Sequence, residues 1–476
     1  MVSQAVVWLR NDLRIGDNPA LDAALARGSS VTAVYIHETD HNLRKPGAAV
    51  QWWLEQSLAN FCKRLEKLGV TLIVETGKSP DILPKLAKEI KPEVVFWNRR
   101  YAPAERECDA QIKAELRQSG FTVTSFHGNL LLEPWQLETG SGGPYQVFTP
   151  FARSLRQKGV PTPLRLRNTK AQSSSAKHKS YERPSPPHWA EKMEGSWQIG
   201  EEAGYEQFHD FLDEIVKSYA ESRDVPGKLG TSKLSPYLRF GEVSVRQLWH
   251  SALHYSEQHP SVSSGVEKFL SELIWRDFHY HQLYHRKDIA RYDMRDAIAH
   301  IEWQGDKKAL SAWTKGQTGF PIVDAGMRQL WATGWMHNRV RMLVASLLTK
   351  NLLIDWRHGE EWFWDTLVDG DIASNPGSWQ WVAGCGMDAA PYFRVFNPVV
   401  QGERFDAAGD YVREWVPELA DMPNKWIHKP FEAPDTVLEK AGVVLGKTYP
   451  KPIVDLKSSS RRARNSKKGE EDDLFA

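Results

Sequence analysis

Short runs rich in β-branched and aromatic residues recur along the first 130 residues, at 5–9, 31–36, 70–75, 94–98 and 121–126. Between them, apolar residues three and four apart mark helices near 19–27, 50–68, 82–90 and 104–118. This alternation predicts a doubly wound parallel sheet with right-handed crossovers. Ligands of such sheets lie beyond the strand carboxyl ends. That rule points to residues 10–14, His37 and residues 98–105.

The pattern then changes. Residues 161–188 are rich in Ser, Lys and Pro with few apolar anchors, and read as a long, partly mobile linker. From about Tyr205 the periodicity is almost wholly helical, as over 323–353. Residues 458–476 carry a basic block followed by an acidic one, a composition that predicts disorder. The expected organisation is an α/β domain over 1–130, an interdomain linker over 131–204, a helical domain over 205–457 and a disordered tail over 458–476.

A chain of 476 residues has room for two or three domains with their own cores. Hydrophobic content of 41% and charge of 25% are those of a soluble globular protein. The net charge of +1 gives no global positive field, so a nucleic-acid surface would need local segregation of Arg and Lys. Cys62, Cys108 and Cys385 are the only cysteines. Three scattered thiols fit a reducing compartment and cannot supply four ligands to an iron–sulfur cluster. The N-terminus has no signal-peptide apolar region and no apolar run reaches transmembrane length, so a cytoplasmic protein is expected.

Candidate chemistry concentrates late in the chain. Residues 356–381, WRHGEEWFWDTLVDGDIASNPGSWQW, hold five tryptophans and three aspartates. Aromatics this dense among carboxylates suggest stacking surfaces or an electron path. Familiar nucleotide motifs fail: no GxGxxG follows a strand, and residues 442–448 (GVVLGKT) are one residue short of a phosphate loop and read as a turn. Residues 230–235 (GTSKLS) fit both an ordinary helix cap and a phosphate cradle. Glu272, Trp275, Arg276 and His279 share one helix face, and Asn338, Arg341, Met342 and Ala345 share another. Asp369, Asp371 and Asn375 lack the spacing of a calcium loop. Carboxylates beside an arginine there suit a buried ion pair that positions a planar ligand. No metal site is expected.

Taken in order, these segments closely resemble the DNA photolyase/cryptochrome family. The resemblance runs from VVWLRNDLRIGDNPAL at residue 6 to PYFRVFNPVVQGERFD at 391. Its most specific parts are GTSKLSPYLRFGEVS (230–244), ELIWRDFH (272–279), MHNRVRM (336–342) and the tryptophan-rich stretch. It implies an α/β N-terminal doubly wound sheet joined by a long linker to an all-α C-terminal FAD-binding domain. The implied activity is light-driven repair of cyclobutane pyrimidine dimers by electron transfer from photoexcited reduced FAD. The alternative is a cryptochrome-type blue-light photoreceptor.

Residue by residue, the resemblance assigns Tyr219, Thr231, Ser232, Lys233, Leu234 and Ser235 to the FAD diphosphate. Phe269 would wall the cofactor or simply fill core. Arg341 and Asp369 would pair beside the isoalloxazine, Asp371 would meet the ring edge, and Asn338 would lie near flavin and adenine. Asn375 would face flavin N5, where plant cryptochromes usually carry Asp. A carboxylic acid can hand the flavin a proton and an amide cannot, so Asn suits a fully reduced anionic flavin and favours repair over signalling. Trp379, Trp356 and Trp303 match the photoreduction chain. Glu272, Trp275, Met342 and Trp381 would line the cavity for the flipped-out lesion, with Met342 favouring cyclobutane dimers. Arg276, Arg339, Arg394 and Arg404 would contact phosphates. Glu105 would hold an antenna, 5,10-methenyltetrahydrofolate in preference to a deazaflavin, although Ala104 replaces the family's Asn. The expected partner is damaged DNA, with no membrane, and the protein a monomer.

Overall fold

Five parallel strands hydrogen-bond in the order β3-β2-β1-β4-β5: β1 Gln4–Leu9, β2 Ser30–Glu38, β3 Thr71–Gly77, β4 Val94–Asn98 and β5 Thr122–Phe126. The central strand β1 pairs Val6 with Thr32 on one side and Val95 on the other. Ala5 through Leu9 are all buried, so the strand reads as a continuous apolar run covered on both faces. The helices between strands are α1 Pro19–Ala26, α2 Ala48–Lys67, α3 Ser79–Ile90 and α4 Pro103–Gln118. Asn18 caps α1 by accepting from Leu21 N at 3.2 Å, and Pro19 fills the first turn, where no N–H is needed. Strands and helices fall where the periodicity predicts, with ends displaced by a few residues at most.

This computed structural model describes residues 4–28, 30–165, 170–171, 181–390 and 394–465. The linker expectation for 166–169 and 172–180, and the tail expectation for 466–476, lie outside the described residues. The chain packs as two compact units, one comprising 1–217 with 232–288 and the other 218–231 with 289–476.

In the first unit, residues 232–288 pack with the sheet through buried polar contacts. Arg246 grips Asp17 with Nη2 on Oδ1 at 2.7 Å and Nε on Oδ2 at 3.0 Å, and both side chains are almost fully buried. Leu13 N donates to Phe240 O at 3.1 Å, and Arg14 Nη1 to Gly241 O at 3.0 Å. Gly241 has φ +63°, and a Cβ there would overlap the Asn11 carbonyl, so glycine is required by both conformation and space. The expected linker is partly built: Phe148–Lys158 is a helix that buries Phe151 and Leu155. Phe269 is buried and packs on Phe208 and Phe211 at 5.9 and 4.9 Å.

The second unit is helical around one apolar core that includes Trp313, Trp356 and Trp379. Its one departure from the expected periodicity is informative. The apolar spacing over 323–353 continues through Gly334, yet the chain forms two helices, Pro321–Thr333 and Asn338–Ser346. Gly334 turns left-handed (φ +68°) and its carbonyl accepts from Val368 N at 2.8 Å, which ends the first helix. The tail expectation also needs correction. Leu456–Asn465 is a helix, tied down by Asn351 Nδ2 to Ser459 Oγ at 2.9 Å and Arg462 Nη2 to Asn351 O at 2.8 Å. Residues 442–448 form a turn closed by Thr448 Oγ1 on Val444 N at 2.8 Å, after a helix and not a strand. Among the described residues, no helix is long and apolar enough to cross a membrane.

Glu242 in the first unit is fully buried, accepting from Trp53 Nε1 at 3.1 Å, and burial pushes its carboxyl up to about 8. The folded form therefore holds a proton that the unfolded chain releases near its ordinary 4.5. This contribution to stability is complete below 4.5 and is lost as pH rises through about 8. Glu242→Gln is expected to stabilise the protein relative to wild type by an amount that grows as pH rises from about 4.5 and levels off above about 8, measured by denaturant unfolding along a pH series.

Candidate functional site

In the second unit the restart of the helix after Gly334 sets the first group of side chains. His337 caps it by accepting from Arg339 N through Nδ1 at 3.2 Å, which places Asn338, Arg339, Arg341 and Met342 in its first turns. Arg341 donates through Nη2 to Asp369 Oδ2 at 2.8 Å and through Nε to Met336 O at 2.8 Å. Asp369 is nearly buried, so this pair is largely removed from water and strongly directional. Asn338 is exposed and Met342 half-buried.

The following loop supplies the second group. Asp371 Oδ1 accepts from Ala373 N at 2.9 Å and Ser374 N at 2.7 Å, starting the helix Ser374–Ala383. Asn375 is buried, and its amide nitrogen donates to Glu360 O at 3.0 Å and Glu360 Oε1 at 2.8 Å. A primary amide has two N–H donors. With both held by Glu360, Asn375 presents its carbonyl oxygen elsewhere. Glu360 was missed by sequence reasoning. A buried Glu within the dense aromatic stretch, 15 residues before Asn375, is the only signal the chain offers.

The tryptophans sit in the same core. Trp379 lies edge-on to Phe363 at 5.0 Å and to Trp313 at 6.1 Å. Trp356 is fully buried and donates Nε1 to Asp293 Oδ1 at 2.9 Å. Trp303 is half-buried against this core, as is Trp381. Gln380, between Trp379 and Trp381, is fully buried and pins the 289–294 loop by donating to Ile289 O (2.7 Å) and Tyr292 O (3.1 Å) and accepting from Met294 N (2.8 Å). Asp293 and Gln380 carried no periodicity or motif signal of their own.

Two buried donors beside the Arg341–Asp369 pair, His337 Nε2 and Arg339 Nε, have no hydrogen-bond partner. Burial pushes the His337 imidazole down to about 4, so it is neutral at physiological pH. In the 218–231 segment of this unit, Tyr219 is buried, Thr231 is half-buried, and a Cβ on Gly230 would meet Ser222 O at 2.6 Å. Unsatisfied polar atoms, a close-packed glycine turn and a directional ion pair fit a large polar ligand such as FAD. Arg339 pairs with Asp224 at 2.8 Å, and Arg339 and Arg404 both face Phe405, at 4.4 and 5.0 Å. Arg394 and Arg404 are exposed.

The first unit holds the rest. Ser232 and Lys233 are half-buried, Leu234 is buried, and Ser235 starts the short helix Ser235–Phe240. Glu272, Trp275 and Arg276 lie on the helix Ser263–His285. Trp275 stacks on Phe148 with centroids 3.8 Å apart and planes 1° from parallel, so one indole face is covered. Glu272 is half-buried with Lys268 at 3.6 Å. Arg276 donates to Asn129 O at 2.8 Å and is turned inward. At the strand carboxyl ends, Arg10 and Arg100 converge on Asp109, and Asn98 Nδ2 donates to Asp12 (2.6 Å) and Asn18 (2.8 Å). Glu105 is half-buried, 3.8 Å from Arg100, and accepts from Ala102 N at 3.4 Å.

Comparison with known proteins adds a second line. Residues 5–167 match the family described as DNA photolyase, and residues 269–468 match the FAD binding domain of DNA photolyase. The chain is 48% identical to deoxyribodipyrimidine photo-lyase of Agrobacterium fabrum over 96% of each chain. It is 35% identical to cryptochrome-2 of Arabidopsis thaliana, over 96% of this chain and 77% of that one. A crystal structure of a bacterial class III photolyase from Agrobacterium tumefaciens superposes with a TM-score of 0.92 at 46% identity, covering 98% of both chains.

Gly359 lies against the Trp379 indole, where a Cβ would overlap the ring and come within 2.7 Å of Leu348 Cδ2. Gly359→Ala is expected to overpack this core and cost about 1–3 kcal/mol. A lowered midpoint in denaturant unfolding, with an altered near-ultraviolet tryptophan circular dichroism signal, would register it.

Proposed function

The chain belongs to the DNA photolyase/cryptochrome family, and on that premise we propose that it is a deoxyribodipyrimidine photo-lyase repairing cyclobutane pyrimidine dimers with light. Reduced FAD, when bound, supplies the light-released electron that splits the cyclobutane ring. The observation that carries repair over signalling is the double hydrogen bond from Asn375 to Glu360. It fixes an amide with only an acceptor left to offer, so this position can neither give the flavin a proton nor take one. The cryptochrome relative is also the more distant, at 35% identity against 48%.

The remaining residues take complementary roles. Arg341 and Asp369 hold the isoalloxazine, with Asp371 at its edge and Asn338 toward the adenine. Tyr219, Thr231, Ser232, Lys233, Leu234 and Ser235 hold the diphosphate. Trp275, with one face covered by Phe148, and Trp381 give flat surfaces to the dimerised bases. Met342 supplies apolar contact without a titrating group. Glu272 contacts the dimerised bases in the lesion cavity. Arg394 and Arg404, both exposed, carry most of the salt-dependent phosphate attraction. Arg276 and Arg339 already have internal partners and contribute less.

Glu105 binds the pterin edge of a 5,10-methenyltetrahydrofolate antenna within the 1–130 part, and residues 205–457 form the catalytic part. All three cysteines are free and buried, which supports a reducing, cytoplasmic setting, and the protein is read as a monomer. Trp379, Trp356 and Trp303 relay electrons to an oxidised flavin, because indole is oxidisable and short hops outrun one long step.

Two measurements test this. Chemically reduced holoprotein, mixed with a dimer-containing oligonucleotide, should restore thymine absorbance under blue light and not in the dark; no light-dependent recovery overturns the reading. Transient absorption should show flavin photoreduction strongly diminished in Trp303→Phe and Trp379→Phe, and undiminished photoreduction in both removes the relay.

A further inference from the structure

We infer that Asp293 is the charge partner of Trp356 when that indole gives up an electron, making it a positioning residue for photoreduction. The inference rests on the tryptophan relay proposed above. Trp356 is fully buried in an apolar core. A positive charge created there finds little solvation and needs a fixed counter-charge nearby. Asp293 Oδ1 accepts the Trp356 Nε1–H at 2.9 Å, so the carboxylate meets the atom whose N–H becomes a far stronger donor on oxidation.

Arg357 opposes this effect. Its guanidinium carbon lies 4.7 Å from the Trp356 ring centroid, and its Nη2 donates to Asp293 Oδ1 at 2.7 Å. Distance and competition decide the balance. Asp293 touches the indole directly, whereas Arg357 stands off the ring and shares its charge with Asp355, at 3.1 Å from each carboxylate oxygen. The net field therefore favours a positive indole. Cys385 Sγ, 3.7 Å from Asp293 Oδ1, adds no competing charge, because burial and Asp293 push its thiol upward. The loop carrying Asp293 is held by Gln380, the residue next to Trp379 in sequence, through Tyr292 O and Met294 N. Two members of the relay and the counter-charge are thus anchored together.

The electron count is simple. With oxidised flavin bound as the light-activated one-electron oxidant, Trp379 would give up one electron. Trp379 recovers one electron from Trp356 and returns to neutral indole. Trp356 is left with one unit of positive charge, its proton still on Nε1 and shared with Asp293, until Trp303 refills it.

Asp293→Asn keeps an acceptor and removes the charge. In holoprotein with oxidised flavin, it should lower the yield of photoreduction roughly tenfold, the scale set by a unit charge at hydrogen-bond distance in a partly solvated site. Arg357→Gln should not lower it. A dark readout is independent of the flavin: the Trp356 indole N–H resonance in ¹⁵N-labelled protein should shift upfield in Asp293→Asn, and Asp293→Glu should restore it in part. An equal fall in both variants, or no fall in Asp293→Asn, overturns the assignment. Repair by chemically reduced protein does not use the relay, so loss of repair in wild type would defeat the repair reading and leave this one standing. Intact photoreduction in Trp303→Phe and Trp379→Phe would defeat the relay and this assignment with it.

Discussion

Asp17 and Arg246 meet in a fully desolvated, two-pronged ion pair at the carboxyl end of the parallel sheet. Removing one partner of such a pair typically costs about 3–5 kcal/mol, because the other charge is left buried and alone. Asp17 holds a positive φ of 48° in doing so, and it also accepts from Leu164 N at 2.8 Å. One carboxylate therefore ties together the first strand–helix turn, the segment near 164 and residues 244–246. The helix Ser263–His285 follows this anchor within the same unit and carries Glu272 and Trp275.

The second unit uses the same logic at three of its buried or half-buried side chains. Arg341 is fixed by Asp369, Asn375 by Glu360 and Trp356 by Asp293. Polar networks in a low-dielectric interior are costly when incomplete and rigid when complete. Rigidity suits a site whose protein supplies position and field while a cofactor supplies the chemistry. Tight aromatic packing around Trp379, reaching as far as a glycine forced by its ring, extends that rigidity to the proposed relay.

Motif residues were legible because their chemistry is unusual for their position. A Trp, Glu and Arg on one helix face, or carboxylates among five tryptophans, stand out from any core or solvent pattern. Their supporting partners were not. Asp293 lies 63 residues before Trp356 and looks like any surface aspartate, and Glu360 sits beside Glu361 in a mixed aromatic and charged stretch where nothing sets it apart. The helix break at Gly334 escaped notice because apolar spacing runs straight through it, while the reason for the break is a hydrogen bond from Val368. The charged composition near 458 suggested disorder, yet contacts from Asn351 give Leu456–Asn465 a fixed place.

Local sequence by itself determined the five strands, their helices and the residue types of the site, because strand and helix periods and hydrogen-bonding chemistry act over a few residues. Only tertiary structure decided which group meets which: that Arg246 closes on Asp17, that Glu360 accepts both hydrogen bonds from the Asn375 amide, and that Asp293 stands at the Trp356 indole. Those pairings join residues far apart in the chain, and their strength comes from burial, which no single segment possesses until the rest has packed around it.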